Sequence, residues 1–540
     1  MDRVHEFLQG LETTQGDPHA QAALTAEYLL MARPEAERDP LYEALDAAAV
    51  LRWFDAELLR KVLQIPDEDS RRRYATLTSF SFVEPFRGKS GLCNIQRSTR
   101  LGWRKKIAGE ERFRTLSIRA SSCFANDPSA SGRIEWIYHL LCGNPDLGGS
   151  ELEKLDREWS GAARPEDRYA LAAALQELVD TDLVRGRARA WSLLCIAWIR
   201  MENRGEAAQL GEIAAEALRL AEEAQDTSAK AQARCLEGDV LQARGNLPTA
   251  HEAFAKFLAL LQSAVEQDPG DAGRRRDLAV AYNRVGHALQ TLGNLEAAQE
   301  AFDQSFEIFQ SVAKQDPSNL ARQRDLAVAY SRVGRVRQAR DQLTDAQAAF
   351  DQDLAISQRL AENDPSNAAW QEDLAVTYGR VGGVLKAQGQ LEAAQPIFEQ
   401  AVAIFRSLAE KDPSNAGWRR ELAAAYRDLG DILRSQGKLE AALVAFGRCL
   451  AMCQSLAGQD PSNVDWQRDL ALALVSLAEL LQDQGKVEPA QVAFDDSLAI
   501  RRRLAEQDPD NAVWLEDLRA VEAKLAALRG AVEPPPGVRS

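Results

Sequence analysis

The sequence predicts an all-α protein: an α-solenoid of 48-residue helix pairs, preceded by a small three-helix domain with a two-stranded hairpin and by a helical connector. Three observations predict it. An Asp-Pro signature returns at a fixed interval, as "DPGD" at Asp268, "DPSN" at Asp316, Asp364, Asp412 and Asp460, and "DPDN" at Asp508, always 48 residues apart. Between signatures, apolar residues recur at spacings of three and four, the period of one helix face. Residues 41–106 are punctuated differently, with two strand-like runs on either side of "FRGKSG".

The front elements read in order as follows. "LYEALDAAAVL" is one helix, "DAELLRKVL" a second with Asp55 as its cap, and "DSRRRYATLTS" a third. "FSFVEP" and "LCNIQ" are strands joined by a turn, and "RSTRLGWRKKI" is a further helix. Together they make a winged-helix layout. Gly88, Lys89 and Ser90 spell the end of a phosphate-binding loop, but such a loop needs a glycine at position 83, where Val83 stands. Gly88 and Gly91 are therefore expected to be turn residues, and no nucleotide or other cofactor is expected.

One repeat, residues 364–411, shows why the array folds. Pro365 breaks the preceding helix, Asn367 caps the next, and Trp370, Leu374, Tyr378, Val381 and Leu385 form one apolar face. Gly389 turns the chain, and Leu391, Ala394, Phe398, Ala401 and Phe405 line a second helix. Such a pair cannot bury both faces alone, whereas stacked neighbours can. The long period predicts helices of about 20 residues, about 30 Å each.

These residues resemble the tetratricopeptide (TPR) repeat family: Tyr378, Gly382, Gly389, Ala394, Phe398 and Ala401 stand at its pattern positions. Tyr282, Gly286, Gly293, Ala298 and Phe302 repeat the pattern, as do Tyr426, Gly430, Gly437, Ala442 and Phe446. Departures are Asp341 in place of a turn glycine, and Leu474 and Ala478 in place of the aromatic and glycine. The front third, through "ALDAAAVLRWFDAELLRKVL", "YATLTSFSFVEP" and "GLCNIQRSTR", resembles the winged-helix and connector region of STAND-class signal-transduction NTPases, without the NTPase. Gln96 stands where many members of that class carry a histidine. The resulting division is 1–38, an N-terminal helical remnant; 39–107, winged-helix-like; 108–183, the connector; 184–530, the TPR solenoid with a C-terminal capping helix; and 531–540, a disordered tail.

Two groups of residues are candidate sites. From Arg71 to Arg119 the chain carries 13 Lys or Arg against Glu84, Glu110 and Glu111. In a DNA-binding reading, Arg71, Arg72 and Arg73 lie on a recognition helix, and Arg87 and Lys89 on a wing. The STAND resemblance implies instead a surface packed on another domain or on a partner. The second group is a ladder of Arg284, Arg332 and Arg380, spaced by 48, with Asn283, His287, Arg335, Lys386, Arg427 and Arg434 at related positions. The TPR resemblance implies that first helices line a concave groove. None of the three ladder arginines has an acid three or four residues away, so no pair within the helix accounts for them. They could grip a carboxylate, since arginine suits planar bidentate anion recognition, or pair with a neighbouring repeat; both remain open.

Composition bounds the function. A formal charge of −16 disfavours wholesale nucleic-acid or anionic-membrane binding. No apolar run is expected to cross a membrane, and the polar start has no signal-peptide core. Cys93, Cys123, Cys142, Cys195, Cys235, Cys449 and Cys453 are odd in number and lack a Cys-x-x-Cys motif, which predicts free thiols in the cytoplasm. Neither these nor the five histidines form a metal-ligand pattern, and no catalytic arrangement stands out. The expected role is non-enzymatic: a protein-interaction scaffold or sensor whose groove takes an acidic or extended protein segment. A separate NTPase or effector chain is a further expected partner. The alternative is a winged-helix DNA-binding regulator with a TPR sensing arm.

Overall fold

A computed structural model describes residues 2–87, 91–162, 165–201, 207–507, 509 and 512–532. The chain forms two compact units, Met1–Asp268 and Pro269–Ser540. Lys89, with Gly88 and Ser90, lies outside the described residues, as does the expected tail from residue 533.

The first unit opens with α1 (Asp2–Thr13), α2 (Pro18–Met31), α3 (Glu35–Val50), α4 (Ala56–Leu63) and α5 (Asp67–Leu77). The Asp55 carboxylate accepts from the Leu58 amide at 2.7 Å, which fixes the start of α4. Strands β1 (Val83–Pro85) and β2 (Cys93–Ile95) pair antiparallel, with Val83 opposite Ile95. They are shorter than the apolar runs around them because Phe80 and Phe82 turn into the core. A bridge between Phe54 and Cys93, with amide-to-carbonyl bonds of 2.8 and 2.9 Å in the two directions, pins the hairpin to the α3–α4 connection.

The unit continues with α6 (Arg97–Ile107), α7 (Glu111–Phe124), α8 (Ala130–Gly143), α9 (Pro145–Ala162) and α10 (Pro165–Asp180). It closes with α11 (Gly186–Met201), α12 (Ala207–Glu223), α13 (Thr227–Ala243) and α14 (Leu247–Gln267). One apolar cluster runs from Ile134 on α8 to Val240 on α13, so these helix pairs share a core with the helices before them.

The second unit is regular. Its first helices are α15 (Ala272–Thr291), α17 (Leu320–Ala339), α19 (Ala368–Ala387), α21 (Ala416–Ser435) and α23 (Val464–Asp483), each of 20 residues. Its second helices are α16 (Leu295–Gln315), α18 (Leu343–Asn363), α20 (Leu391–Lys411), α22 (Leu439–Gln459) and α24 (Val487–Gln507), each of 21. A last helix, α25 (Ala512–Val532), packs on α24.

Each period is set by local chemistry. Asn319, Asn367, Asn415 and Asn463 cap the first helices by accepting from the amides of Arg322, Trp370, Trp418 and Trp466. The turn within each pair has a left-handed residue: Gly293, Gly389, Gly437 and Gly485 have φ between 72° and 81°, and Asp341 takes the same place at 61°. Gly382 lets the pair close, since a Cβ there would lie 2.8 Å from the Phe398 ring. By length and composition α22 is apolar enough to span a membrane, with a mean hydropathy of 1.4. The sequence reading expected no such run. Its apolar content is used in packing: Ala442, Ala445, Phe446, Cys449, Cys453 and Leu456 are buried among the repeats.

Candidate functional site

Within the second unit, first helices of successive pairs adjoin: α19 touches α21 and α21 touches α23, and ion pairs from Arg276 to Asp325 and from Arg324 to Asp373 join α15 to α17 and α17 to α19, so they form one wall. Two kinds of basic residue stand on it.

The first kind is mortar. Arg276, Arg324, Arg420 and Arg468 each pair with an aspartate 49 residues on: Asp325, Asp373, Asp469 and Asp517. Where the series is broken by Glu372, that carboxylate instead accepts from the Trp418 indole at 3.0 Å. The sequence reading missed this ladder. Its signal was the recurring "RDL" at 276, 324 and 468, which helical spacing within one helix cannot reveal.

The second kind is the predicted set, and it divides by position along the array. Lys386 pairs with Asp431 at 3.2 Å, Arg427 with Asp428 at 3.2 Å, and Arg434 with both Glu479 and Asp483. Arg380 leans on Asp353 of α18 at 3.7 Å. Asp353 is buried and also accepts from Ser357 at 3.1 Å and Thr377 at 3.2 Å. Burial pushes its carboxyl up to about 6 in spite of these partners.

Arg332 and Arg335, one turn apart on α17, make no hydrogen bond or ion pair among the described residues. Both are half-buried. Burial, then Arg335, Arg380 and Arg284, push the Arg332 guanidinium down to about 10, so it stays charged at neutral pH. Burial, then Arg332, Arg335 and Arg284, hold His287 below its ordinary 6.5. The structure therefore brings Arg284, His287, Arg332, Arg335 and Arg380 into one electrostatic cluster. Asn283, next to Arg284 in sequence, has a buried Oδ1 without a hydrogen-bond partner among the described residues.

The sign of the wall reverses along the stack. The position of Arg284, Arg332 and Arg380 is Asp428 in the next repeat, and that of His287 and Arg335 is Asp431 and then Glu479 two and three repeats after Arg335. The acidic half is neutralised by Lys386, Arg427 and Arg434, whereas in the basic half Arg332 and Arg335 have no acidic partner among the described residues.

Tetratricopeptide-repeat family models match residues 277–352, 373–455 and 470–510. These segments are TPR repeats. No curated protein matches the chain. Among solved structures the chain is similar to a STAND protein with a tetratricopeptide repeat sensor from Pyrococcus horikoshii, at 12% identity and TM-score 0.45, covering 91% of this chain and 72% of that one. It is also similar to apo RapI, at 14% identity and TM-score 0.45, covering 75% and 96%. A third is BtubC from P. vanneervenii, at 18% identity and TM-score 0.38, covering 48% and 92%.

Ahead of the TPR array, most of the described basic residues of this segment in the first unit meet acids of the same unit. Arg71 and Arg72 are exposed but pair with Asp67 at 2.8 Å and Asp69 at 2.9 Å on their own helix. Arg73 turns inward to Glu43 at 2.7 Å. Lys105 and Lys106 meet Asp17 and Glu27, and Arg112 meets Asp46. Arg87 is exposed at the hairpin.

Arg104 is fully buried. It donates to the carbonyls of Ala49 and Val50, to the Tyr138 hydroxyl, and to Glu177 at 2.7 Å. Arg100 reaches the same Glu177 at 2.6 Å. Burial pushes the Glu177 carboxyl up, but Arg104 and Arg100 outweigh it and hold it at about 2. These contacts tie α6 to α8 and α10. Among the described residues no three His, Cys, Asp or Glu side chains converge as a metal site.

Proposed function

We propose that the chain is a non-enzymatic recognition protein, a sensor or scaffold whose TPR wall captures an acidic, extended segment of a partner protein. The observation that carries this reading is that Arg332 and Arg335 have no acidic partner among the described residues, whereas Lys386, Arg427 and Arg434 further along the wall do. A half-buried cation without a counter-ion is electrostatically unfavourable unless a ligand supplies the charge. We further assign the front third to a STAND-type winged-helix module with the boundaries 39–107 and 108–183, and the chain to the cytoplasm. All seven cysteines are free, which supports that compartment. A separate NTPase or effector chain is a partner of that module in this reading. DNA binding is the weaker reading, because Arg71, Arg72 and Arg73 are each engaged by an acid.

The test is site-directed photo-crosslinking in cells of origin. A crosslinker in place of Val328, 40% exposed and one turn before Arg332, should trap a protein partner. One in place of Val444, 57% exposed on the second helix α22, should not. Crosslinks confined to Val444 would place recognition on the other face and end the groove reading.

A further inference from the structure

We propose that the cluster formed by Arg332 and Arg335, with Arg284 and Arg380 beside them, is a site for a phosphate monoester: the phosphorylated side chain of the captured segment. This rests on the groove reading above and narrows it to a ligand class.

The argument is one of charge and geometry. Elsewhere on the wall, equivalent cations are matched singly or doubly by Asp428, Asp431, Glu479 and Asp483. Among the described residues Arg332 and Arg335 have no such acid, and each lies within electrostatic range of Arg380. Two uncompensated guanidiniums, one turn apart, call for two negative charges in one place. A glutamate or aspartate side chain brings one, and would leave the second cation unmatched. A phosphate monoester carries about −1.5 to −2 at pH 7, with three strong acceptor oxygens. Guanidinium forks bind such oxygens bidentately and in a plane.

The surroundings restrict the site to this place. Arg380 is held from behind by Asp353, at 3.7 Å, which orients its head and removes part of its charge. Further along the wall, Lys386, Arg427 and Arg434 are already matched by Asp431, Asp428, Glu479 and Asp483, so these cations do not compete for a dianion.

The experiment uses the full chain immobilised on beads and three degenerate peptide libraries rich in Glu and Asp. Their fixed central residue is phosphoserine, glutamate or serine. The phosphoserine library should be retained at least tenfold better than the glutamate library. Arg332→Gln with Arg335→Gln should reduce it to the glutamate level, while Arg502→Gln, which alters a paired cation on the second helix α24, should leave it unchanged. Circular dichroism of each variant checks that helicity is kept. Equal retention of the phosphoserine and glutamate libraries, both lost in the double variant, would overturn the phosphate assignment and leave the groove reading standing. Displacement of every peptide by millimolar inorganic phosphate, without any preference for the phosphopeptide, would show a free-anion site and overturn the proposal. Retention of no library would also overturn it, and crosslinking at Val328 then decides the groove reading separately.

Discussion

Replacing Arg332 by methionine should make the protein more stable, although Arg332 lies in the middle of a helix. Its guanidinium is pushed from an ordinary 12.5 down to about 10, by burial and by three neighbouring arginines. At about 1.4 kcal/mol per pH unit, the charged form is disfavoured in the folded state by on the order of 3 kcal/mol. Arg332 is only half-buried, so water access and relaxation reduce this to ~1–2 kcal/mol. The sign follows from linkage. A base whose folded pKa is depressed destabilises at every pH below that pKa, so the penalty is constant between pH 5 and 9. Methionine keeps the aliphatic packing of the stem and removes the charge. Urea unfolding followed by circular dichroism, with amide exchange in α17 as a local readout, should show the gain. Added salt should stabilise the wild type more than the variant, because it screens the repulsion. Arg380→Met should have the opposite effect, since it strips the buried Asp353 of its ion-pair partner. If Arg332→Met destabilises as Arg380→Met does, Arg332 has a hidden structural partner and the reasoning fails.

Asp341 occupies a left-handed position that glycine holds in the other repeats of the unit. Asp341→Gly should therefore raise stability by about 0.5–1 kcal/mol in the same urea titration. Glu177 titrates at about 2 in the folded state against an ordinary 4.5, so its contribution is present above 4.5 and lost as the pH falls through about 2. The first unit should lose up to ~3 kcal/mol across that window, and Glu177→Gln should remove this acid sensitivity while lowering stability at pH 7. Asp353 has the opposite sign. Its carboxyl is raised to about 6 from 3.8, so its stabilisation is full below 3.8 and is lost as the pH rises through about 6. Asp353→Asn should flatten the stability profile between pH 4 and 7.

Much of the fold was legible because it is encoded locally. The Asn367 cap, the Gly389 turn and the Gly382–Phe398 contact all act within one 48-residue unit. The charges were less legible because their partners are distant. The Arg276–Asp325 bond joins residues one period and one position apart, and becomes visible only when the repeats are stacked. Arg380 finds Asp353 on a different helix, whereas Arg332, at the same position one repeat earlier, pairs with none of the described residues. Sequence alone treated the two as equal rungs. The front basic segment read as an excess of positive charge because Asp17, Glu27, Glu43 and Asp46 lie 20 or more residues upstream of the basic residues they meet.

The central claim is that a partner's negative charge completes the Arg332–Arg335 cluster. The direct measurement is the yield of partner crosslinked through position 328, compared between the wild-type wall and the wall carrying Arg332→Gln and Arg335→Gln. The account predicts a fall of tenfold or more, with unchanged helicity and a melting temperature that does not drop. An undiminished yield from the double variant would show that the partner is held without these arginines and would contradict the account.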